Sequence, residues 1–401
     1  MKILITSDWY LPAVNGVVTS VVNLRRELLR RGHEVRVLTL SGNSKTQIEG
    51  GIYALGSLDA GLIYPGARLR SAAVGDVARE LVAWQPDVVH SQCEFSTFEL
   101  ARRIARAAHA PLIHTYHTVY EDYTHYFSPS RRWGRCMAKG FSRTVLHKTN
   151  QVIAPTEKVQ QLLADYGIDR PVTVIPTGID LSRFTVQPTE EWKAERRAQL
   201  GIPTQNKVLV YVGRLAKEKN VDELLACRAR MGNVSVTLLL VGGGPQQAEL
   251  MQQAERLGLL QNHAVVFAGM IPPTQVAAYY HLGDVFVSAS TSETQGLTYI
   301  EALAAGLPAV CRADACLAGV IEDGVNGLQY QTTGELDRFL QEVLSRPELC
   351  EKLSRRAVLS AERFSATRFA ARVAELYCTA VAEKAEAAYC LKKGGALWQR
   401  A

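Results

Sequence analysis

The N-terminal part of the chain alternates short apolar runs with longer stretches in which apolar residues recur every three or four positions. Residues 2–6 predict a buried strand, residues 17–31 an amphipathic helix that ends before Gly32, and residues 34–40 the next strand. The same pattern predicts further short strands at residues 87–90, 111–116, 151–154 and 172–175. Strands that alternate with helices in this way are typical of a parallel, doubly wound sheet.

The pattern starts again in the second half of the chain. It predicts strands at residues 207–212, 237–241, 265–268, 284–288 and 308–311, with helices between them. The region before these strands is rich in proline, threonine and charged residues, which is typical of a linker. The sequence therefore predicts an α/β protein with one Rossmann-like domain at residues 1–180, a linker at 181–205, a second Rossmann-like domain at 206–365 and a C-terminal helix in 366–401.

The composition agrees with two globular domains. The 401 residues are 47% hydrophobic and 21% charged, and a chain of this length exceeds one ordinary core. No apolar run approaches the ~18 residues of a membrane-spanning helix. The N-terminal apolar stretch soon meets Asp8 and is too short for a signal peptide. These features predict a protein that stays in the cytoplasm.

Cations follow the first predicted strand of the second half. Arg214 and Lys219 lie just beyond its carboxyl end, where ligands bind in parallel sheets. Two cations at this place can neutralise a diphosphate leaving group. For Lys217 and Glu218, which lie between them, we expect a solvated charged loop.

Three glycines follow predicted strands. Gly16 lies where the first helix should begin, so a diphosphate could approach the helix N-terminus there. The segment lacks the Gly-x-Gly-x-x-Gly dinucleotide fingerprint, and an ordinary turn glycine explains it equally well. Gly242 and Gly244 suit close approach of the backbone to a nucleotide, but they also suit a plain tight turn.

Two glutamates eight positions apart follow the fourth strand of the second half. Glu293 precedes a predicted helix and Glu301 lies within it. A carboxylate at the first position can accept hydrogen bonds from sugar hydroxyls, and one at the second can bind a ribose diol. The helix N-terminus can bind phosphate oxygens through the amides of Gly296, Leu297 and Thr298. Helix-capping acids are the alternative, although capping explains only one of the two glutamates.

These residues together resemble glycosyltransferase family 4, whose members have the GT-B fold. The similar features are the Glu-x7-Glu spacing, the Gly-Arg-Leu loop that contains Arg214, the Ile-Pro-Thr-Gly-Ile-Asp segment at 175–180, and Gly16. The resemblance implies two Rossmann-like domains that face each other across a cleft. It also implies transfer of a sugar from a nucleotide diphosphate with retention at the anomeric carbon. The second domain would bind the donor, with Met270 among the binding residues, and the first domain would bind the acceptor.

A narrower resemblance lies between residues 111 and 163. The segment HTYHTVYEDYTHY, which begins at His114, and the segment APTEKV at 154–159 are similar to bacterial 1,2-diacylglycerol 3-glucosyltransferases. This resemblance implies that UDP-glucose is the donor and that diacylglycerol is the acceptor. It also implies that His117 lies beside the reacting sugar.

Aromatic residues are concentrated in the same region. Five of the twelve residues from 116 to 127 are aromatic, whereas the chain averages 7%. We predict an apolar groove for the acceptor beside polar groups that orient a hydroxyl. The residues expected to line it are Tyr116, Tyr120, Tyr123 and Tyr126. Alternatively, Tyr120, Tyr123 and Phe127 pack into the core, because they recur at helical spacing.

The sequence offers no usual site for a divalent metal. It contains neither an Asp-x-Asp pair nor a Cys-x-x-Cys pair. Arg214, Lys219 and helix N-termini would then balance the charge of the diphosphate. We therefore expect transfer that needs no metal ion and no other cofactor.

A basic stretch without acids lies between residues 128 and 155. Its six cations are Arg131, Arg132, Arg135, Lys139, Arg143 and Lys148. On a helix, four of them (Arg132, Arg135, Lys139 and Arg143) share one face, with Trp133, Met137 and Phe141 to the side. Such a helix suits an anionic membrane surface, which predicts peripheral binding at the inner face of the cell membrane. A solvated helix whose cations pair with acids elsewhere in the fold is the alternative. No nucleic-acid-binding motif accompanies the cations, so we expect no nucleic-acid partner.

The leading prediction is transfer of an α-glucosyl group from UDP-glucose to the 3-hydroxyl of 1,2-diacylglycerol. One alternative is a family 4 transferase that acts on phosphatidylinositol or on a capsular or exopolysaccharide precursor. Another is a nucleotide-sugar epimerase of similar fold, which would form product from the donor alone. A catalytically silent sugar-nucleotide-binding subunit is disfavoured, because all five candidate residues are present: His117, Arg214, Lys219, Glu293 and Glu301.

Overall fold

The structure is a computed structural model that describes residues 1–13, 15–59, 68–70, 75–121 and 130–398. The chain divides into two compact units. Unit 1 consists of Met1–Gly178 and Ala366–Ala401, and unit 2 consists of Ile179–Ser365. Each unit has its own mainly parallel sheet, as the two strand-and-helix patterns predict.

The elements of unit 1 begin with a buried strand. The described strands are β1 (Lys2–Thr6), β2 (Glu34–Leu40), β3 (Gln47–Glu49), β4 (Ile52–Leu55), β5 (Ser57–Asp59), β6 (Arg68–Arg70), β7 (Val88–Ser91), β8 (Leu112–Thr115), β9 (Gln151–Ala154) and β10 (Val172–Val174). The helices that precede unit 2 are α1 (Gly16–Arg30), α2 (Gly75–Ala83), α3 (Ser96–Ala107), α4 (Arg131–Leu146) and α5 (Glu157–Asp165).

The main sheet of unit 1 runs in the order β10-β9-β8-β7-β1-β2-β4-β3, while β5 and β6 form a separate antiparallel pair. Its neighbours are parallel except β3 and β4. The strand order therefore reverses between β1 and β7. Ligands of doubly wound sheets bind at the carboxyl ends of the strands beside such a reversal. In unit 1 this is the place of the loops after β1, β7 and β8.

Unit 2 repeats the architecture with a smaller sheet. Its described strands are β11 (Lys207–Val212), β12 (Val236–Val241), β13 (Val265–Gly269), β14 (Val285–Ser288), β15 (Ala309–Arg312) and β16 (Gly327–Tyr330). Its helices are α6 (Ser182–Thr185), α7 (Glu190–Gln199), α8 (Val221–Arg230), α9 (Gln247–Arg256), α10 (Val276–Tyr280), α11 (Leu297–Ala304), α12 (Thr333–Ser345) and α13 (Pro347–Ala361).

The sheet of unit 2 runs in the order β13-β12-β11-β14-β15-β16, with all neighbours parallel. All six residues of β12 are buried, as expected of a central strand that helices cover on both faces. The order reverses between β11 and β14. The loops that leave these two strands therefore lie side by side at the carboxyl edge of the sheet.

The segment 181–205, which the sequence assigns to a linker, is part of unit 2. Its three glutamates are exposed on α7, whereas Phe184 and Ile202 are buried in the core of unit 2. The ring of Phe184 packs against that of Tyr280 at 5.8 Å. Composition alone predicts a linker here because the few apolar residues that fix the segment are widely spaced.

The last helix, α14 (Ala366–Trp398), returns to unit 1. Phe369, Val373 and Tyr377 are buried against the core that contains β1 and α1. The C-terminal helix is therefore a structural part of unit 1 rather than an appendage. Although α14 has 33 residues, no helix within the described ranges combines the length and the apolar character needed to cross a membrane.

Candidate active site

In unit 2, the loops after β11 and β14 are joined by hydrogen bonds. Asn220 adopts a left-handed conformation with φ of 50°, and its side chain donates to the carbonyl oxygen of Ala289 at 3.1 Å. The hydroxyl of Ser292 donates to the carbonyl oxygen of Glu218 at 3.3 Å. These bonds fix the two loops to each other at the reversal of the sheet.

An ion pair completes the junction. The ammonium of Lys219 lies 2.6 Å from the carboxylate of Glu293, and the two side chains are only 14% and 20% exposed. The structure thus brings together two residues that the sequence places 74 positions apart. Both occupy the carboxyl ends of neighbouring strands, where the sequence predicts a donor site.

Arg214 lies at the same edge and is 37% exposed. Its guanidinium donates to the carboxylate of Glu218 at 3.1 Å. The expectation of a solvated Glu218 is wrong, because its side chain is only 6% exposed and serves as the partner of Arg214. Lys217, in contrast, is exposed as expected.

The glycines after β12 allow the main chain to pack against the loop after β11. A methyl group built on Gly242 would overlap the carbonyl oxygen of Gly213, and one on Gly244 would overlap that of Leu215. The amide of Leu215 donates to the carbonyl oxygen of Gly243 at 2.9 Å. The close backbone approach at this turn is therefore an approach between two loops of the protein.

Met270 follows β13 at the same edge of the sheet. Its side chain is 74% exposed, and it lies against Gly243, since a methyl group built on that glycine would be 3.0 Å from Met270 Cγ. The structure places this predicted donor-binding residue beside the glycine turn, with most of its surface free for contact with a ligand.

Helix α11 begins at Leu297, directly after Gly296, whose φ of 71° is readily adopted only by glycine. Leu297 and Thr298 lie in the first turn, where backbone amides lack partners within the helix. A methyl group on Gly296 would lie 2.5 Å from the ring of Tyr299. The helix N-terminus therefore lies next to Glu293, as the sequence predicts.

Glu301, in the middle of α11, accepts a hydrogen bond from the hydroxyl of Tyr280 at 2.8 Å. Burial disfavours the charged carboxylate and raises its pKa to about 7, although the bond from Tyr280 and the charge of Arg183 act in the opposite direction. Tyr280 is fully buried. Tyr280 belongs to no motif in the sequence, and only its hydrogen bonds to Thr298 and Glu301 of α11 reveal it.

In unit 1, Gly16 is the first residue of α1, as the sequence predicts. The side chain of Asn15 caps this helix by accepting from the amide of Val18 at 2.9 Å. The helix follows β1, so its N-terminus lies at the carboxyl edge of the sheet.

His117 follows β8 at that edge and is partly buried. Its Nε2 donates to the side-chain oxygen of Gln92 at 2.6 Å. Burial lowers the pKa of the imidazole to about 4, with a further decrease from His114 and an opposing effect of Glu94. The ring is therefore neutral at physiological pH.

Glu94 occupies the loop after β7 and has two side-chain neighbours. The hydroxyl of Tyr120 donates to Glu94 Oε2 at 2.7 Å, and His114 Nε2 lies 3.2 Å from Oε1. Neither Glu94 nor Gln92 belongs to the motifs singled out in the sequence. Their position directly after the strand predicted at 87–90 was the only available signal.

The four tyrosines predicted to line an acceptor groove have different positions. Tyr116 is fully buried, with its hydroxyl 2.8 Å from that of Ser142, so its side chain is part of the core of unit 1. Tyr120 packs its ring against Phe95 and Phe141 while its hydroxyl contacts Glu94. Tyr123 and Tyr126 lie outside the described residues.

Helix α4 carries the predicted basic face. Arg132 and Arg143 are exposed. Arg135 is also exposed, but it donates to the carboxylate of Glu121 at 3.0 Å, and Lys139 donates to a backbone carbonyl at 3.0 Å. Of Arg131, the first residue of the helix, only the backbone is described. Pairing with an acid elsewhere in the fold, the alternative considered from the sequence, thus applies to Arg135.

Two apolar side chains accompany this basic face. Trp133 and Met137, one helical turn apart, are 73% and 52% exposed. Phe141 is partly buried and stacks on Phe95 at 5.5 Å, so it does not share their exposure. The exposed surface of α4 therefore combines arginine, tryptophan and methionine side chains.

Unit 2 thus presents cations, a carboxylate and a helix N-terminus at one point of a doubly wound sheet. These groups suit a nucleoside diphosphate sugar, because cations and backbone amides bind phosphate while the carboxylate binds hydroxyls. Among the described residues, no group of His, Cys, Asp or Glu side chains has the arrangement of a metal site. The two doubly wound sheets and the groups at the edge of the second agree with the GT-B fold that the sequence predicts.

Comparison with known proteins identifies the family. The model described as Glycosyltransferase Family 4 matches residues 14–183, and that described as Glycosyl transferases group 1 matches residues 193–359. The chain is 36% identical to the alpha-monoglucosyldiacylglycerol synthase of Streptococcus pneumoniae, over 95% of this chain and 86% of that protein. The chain belongs to glycosyltransferase family 4.

Two further comparisons agree with this assignment. The protein of the same name from Acholeplasma laidlawii is 31% identical, over 94% of this chain and 96% of that protein. The crystal structure of Anabaena Alr3699/HepE in complex with UDP-glucose matches with a TM-score of 0.73 at 20% identity. This match covers 94% of this chain and all of that one. The structural match supports the fold.

The raised pKa of Glu301 predicts a specific dependence of stability on pH. Between its ordinary pKa of 4.5 and about 7, the folded protein holds a proton that the unfolded chain releases. Stability from this group therefore falls as pH rises through that window. We expect Glu301→Gln to remove this fall, so that its free energy of unfolding relative to wild type rises between pH 5 and pH 8 by on the order of 2 kcal/mol.

Urea unfolding at both pH values measures the difference. Glu351→Gln is the control, since Glu351 is an exposed glutamate on α13 of the same unit. Equal pH dependence of Glu301→Gln and wild type would contradict the raised pKa of Glu301 in the folded protein.

Proposed function

We propose that the protein transfers an α-glucosyl group from UDP-glucose to the 3-hydroxyl of 1,2-diacylglycerol, with retention at the anomeric carbon. The proposed acceptor is supported by the similarity of the chain to two alpha-monoglucosyldiacylglycerol synthases, which extends over more than nine-tenths of the chain. The donor is supported by the cations, carboxylate and helix N-terminus that converge in unit 2.

In this proposal, unit 2 holds the donor. Lys219 and Arg214 stabilise the negative charge that develops on the leaving diphosphate, together with the first amides of α11. Glu293 accepts hydrogen bonds from hydroxyls of the sugar, and Glu301 accepts from the ribose diol. The bond between the anomeric carbon and the diphosphate oxygen breaks, and a bond to the acceptor oxygen forms on the same face of the sugar. The proton of the acceptor hydroxyl passes to the leaving diphosphate oxygen, so that UDP is released.

His117 is proposed to contact the transferred sugar, as the resemblance to diacylglycerol glucosyltransferases implies. Its neutral ring can exchange hydrogen bonds with sugar hydroxyls without adding a charge. No metal ion is required in this proposal, because the sequence lacks an Asp-x-Asp pair and two cations occupy the diphosphate position.

A transfer assay tests the function. We expect purified protein to form monoglucosyldiacylglycerol, identified by mass, from UDP-glucose and vesicles that contain diacylglycerol. The rate should persist in excess EDTA, since no step uses a divalent ion. A loss that only Mg²⁺ or Mn²⁺ restores would contradict metal independence. Conversion of UDP-glucose in the absence of acceptor would indicate an epimerase instead.

Lys219→Ala should lower kcat by a factor of about 10²–10³, the range seen when one charge-stabilising group is removed from an active site. The control is Lys207→Ala, because Lys207 is paired with Asp284 at 2.9 Å at the opposite end of β11. The control should retain nearly normal kcat. Thermal unfolding of both variants separates lost chemistry from lost stability, since Glu293 loses its partner in the first variant. A folded Lys219→Ala protein with normal kcat would contradict the leaving-group role.

We further propose that α4 docks on the inner face of the cell membrane. Arg132 and Arg143 can contact anionic headgroups, while Trp133 and Met137 enter the interfacial layer. Each cation near an anionic surface contributes about 1 kcal/mol. Such docking is reversible and brings a lipid acceptor within reach of unit 1.

Vesicle cosedimentation tests this docking. The variant Arg132→Ser/Arg143→Ser should bind anionic vesicles about 30-fold more weakly than wild type, which corresponds to about 2 kcal/mol. The matched control is Arg103→Ser/Arg106→Ser, which removes two exposed arginines from α3 of the same unit. Binding of wild type should also weaken with salt. Equal loss in both double variants would show that net charge, rather than α4, controls binding.

A further inference from the structure

Gln92 lies between the ends of two neighbouring strands of unit 1. It is the first residue after β7, and its backbone amide donates to the carbonyl oxygen of Thr6, at the end of β1, at 2.8 Å. The residue therefore lies at the point where the order of the sheet reverses. Its side chain is almost completely buried. A buried amide at this edge of the sheet needs a structural or functional reason, because burial of an unpaired amide is costly.

The side chain of Gln92 determines which nitrogen of His117 carries a proton. Its oxygen lies 2.6 Å from His117 Nε2. An amide oxygen can only accept a hydrogen bond, so Nε2 must donate. A neutral imidazole has one ring proton, and with that proton on Nε2 the lone pair is on Nδ1.

A second layer of contacts orients Gln92. Its amide nitrogen lies 3.0 and 3.2 Å from the two ring nitrogens of His90. That ring is fully buried, and its nitrogens are paired with the hydroxyls of Thr115 at 2.7 Å and Tyr377 at 2.6 Å. The contacts therefore run from the C-terminal helix through His90 and Gln92 to His117.

We infer that Gln92 is a positioning residue for glucosyl transfer: it keeps the proton of His117 on Nε2, so that Nδ1 accepts a hydrogen bond from a hydroxyl of the transferred sugar. This inference rests on the proposed function of the protein. Without Gln92 the proton can move to Nδ1, which would then donate instead of accept. The same ring in the same place would lose the interaction.

A carboxylate introduced beside His117 would change the pKa of its ring, so the inference can be tested by the pH dependence of activity. Glu94, from the loop after β7, and His114, from β8, are the titratable neighbours that affect its pKa. A carboxylate at position 92 would still accept from Nε2, but it would also stabilise the imidazolium ion. A nearby opposite charge raises the pKa of a histidine, typically by 1–3 units.

Nitrogen-15 NMR of labelled histidine measures the tautomer directly, without any substrate. In wild type we expect a protonated Nε2 and an unprotonated Nδ1 for His117, with the signals assigned by their loss in His117→Gln. In Gln92→Met, which keeps the side-chain volume but removes the acceptor, we expect a mixture of both tautomers. The control Gln151→Met removes another buried amide of unit 1, which bonds Glu383, and should leave the His117 signals unchanged.

Measurements of kcat test whether the tautomer of His117 affects glucosyl transfer. Gln92→Met should lower kcat about 10- to 100-fold, as expected for a displaced contact in an active site. Its affinity for UDP should stay unchanged, because UDP lacks the sugar. Gln92→Glu should approach wild-type kcat at pH 8 and lose activity as pH falls through the raised pKa of His117. Wild type should show no such decrease above pH 5.

Three results would overturn the inference. These are a wild-type His117 with its proton on Nδ1, an unchanged tautomer in Gln92→Met, and an altered tautomer in Gln92→Met with normal kcat. If wild type does not transfer glucose to diacylglycerol, the proposed function fails. The NMR measurement then still decides whether Gln92 sets the tautomer.

Discussion

The ion pair between Lys219 and Glu293 joins two loops that leave adjacent strands at the reversal of the sheet in unit 2. Both side chains are mostly buried, so each charge needs the other to offset the loss of hydration. The left-handed turn at Asn220 brings the ammonium to this place. Because an ammonium has three donors, Lys219 can bind a phosphate oxygen without releasing Glu293. The contact that joins the loops therefore leaves donors of the ammonium for other partners.

Close packing of the main chain holds the loops of this site in place. The turn after β12 lies so close to the loop after β11 that Gly242 and Gly244 cannot accommodate a side chain. Arg214, in that second loop, is in turn held by Glu218. Charged groups that are already fixed do not have to reorganise when charge develops on a ligand, which is the main source of electrostatic catalysis. Glycines are thus required here for packing between loops.

The sequence predicts the parts of this structure that depend on local pattern. Buried parallel strands are almost continuously apolar, and the polar residues after them, such as Arg214 and Glu293, mark the carboxyl edge of the sheet. What it misses depends on tertiary contacts. The burial of Glu218 requires Arg214 as a neighbour, and Tyr116 enters the core because Ser142 satisfies its hydroxyl. Composition predicts a linker at 181–205, whereas the segment packs on unit 2 through apolar residues that are spread along it: Leu181, Phe184, Trp192, Leu200 and Ile202.

The side chains at the reversal of the sheet are charged in unit 2, whereas those that contact Gln92 at the reversal in unit 1 are neutral. At the reversal in unit 2, Lys219 and Glu293 are charged groups in direct contact. At the reversal in unit 1, the groups that contact Gln92 are two imidazoles, and burial lowers the pKa of both His90 and His117. In this network the side-chain oxygen of Gln92 fixes the direction of its hydrogen bond with His117, because an amide oxygen can only accept. Charged groups select a ligand by its charge, whereas such a network selects it by the placement of its hydroxyls.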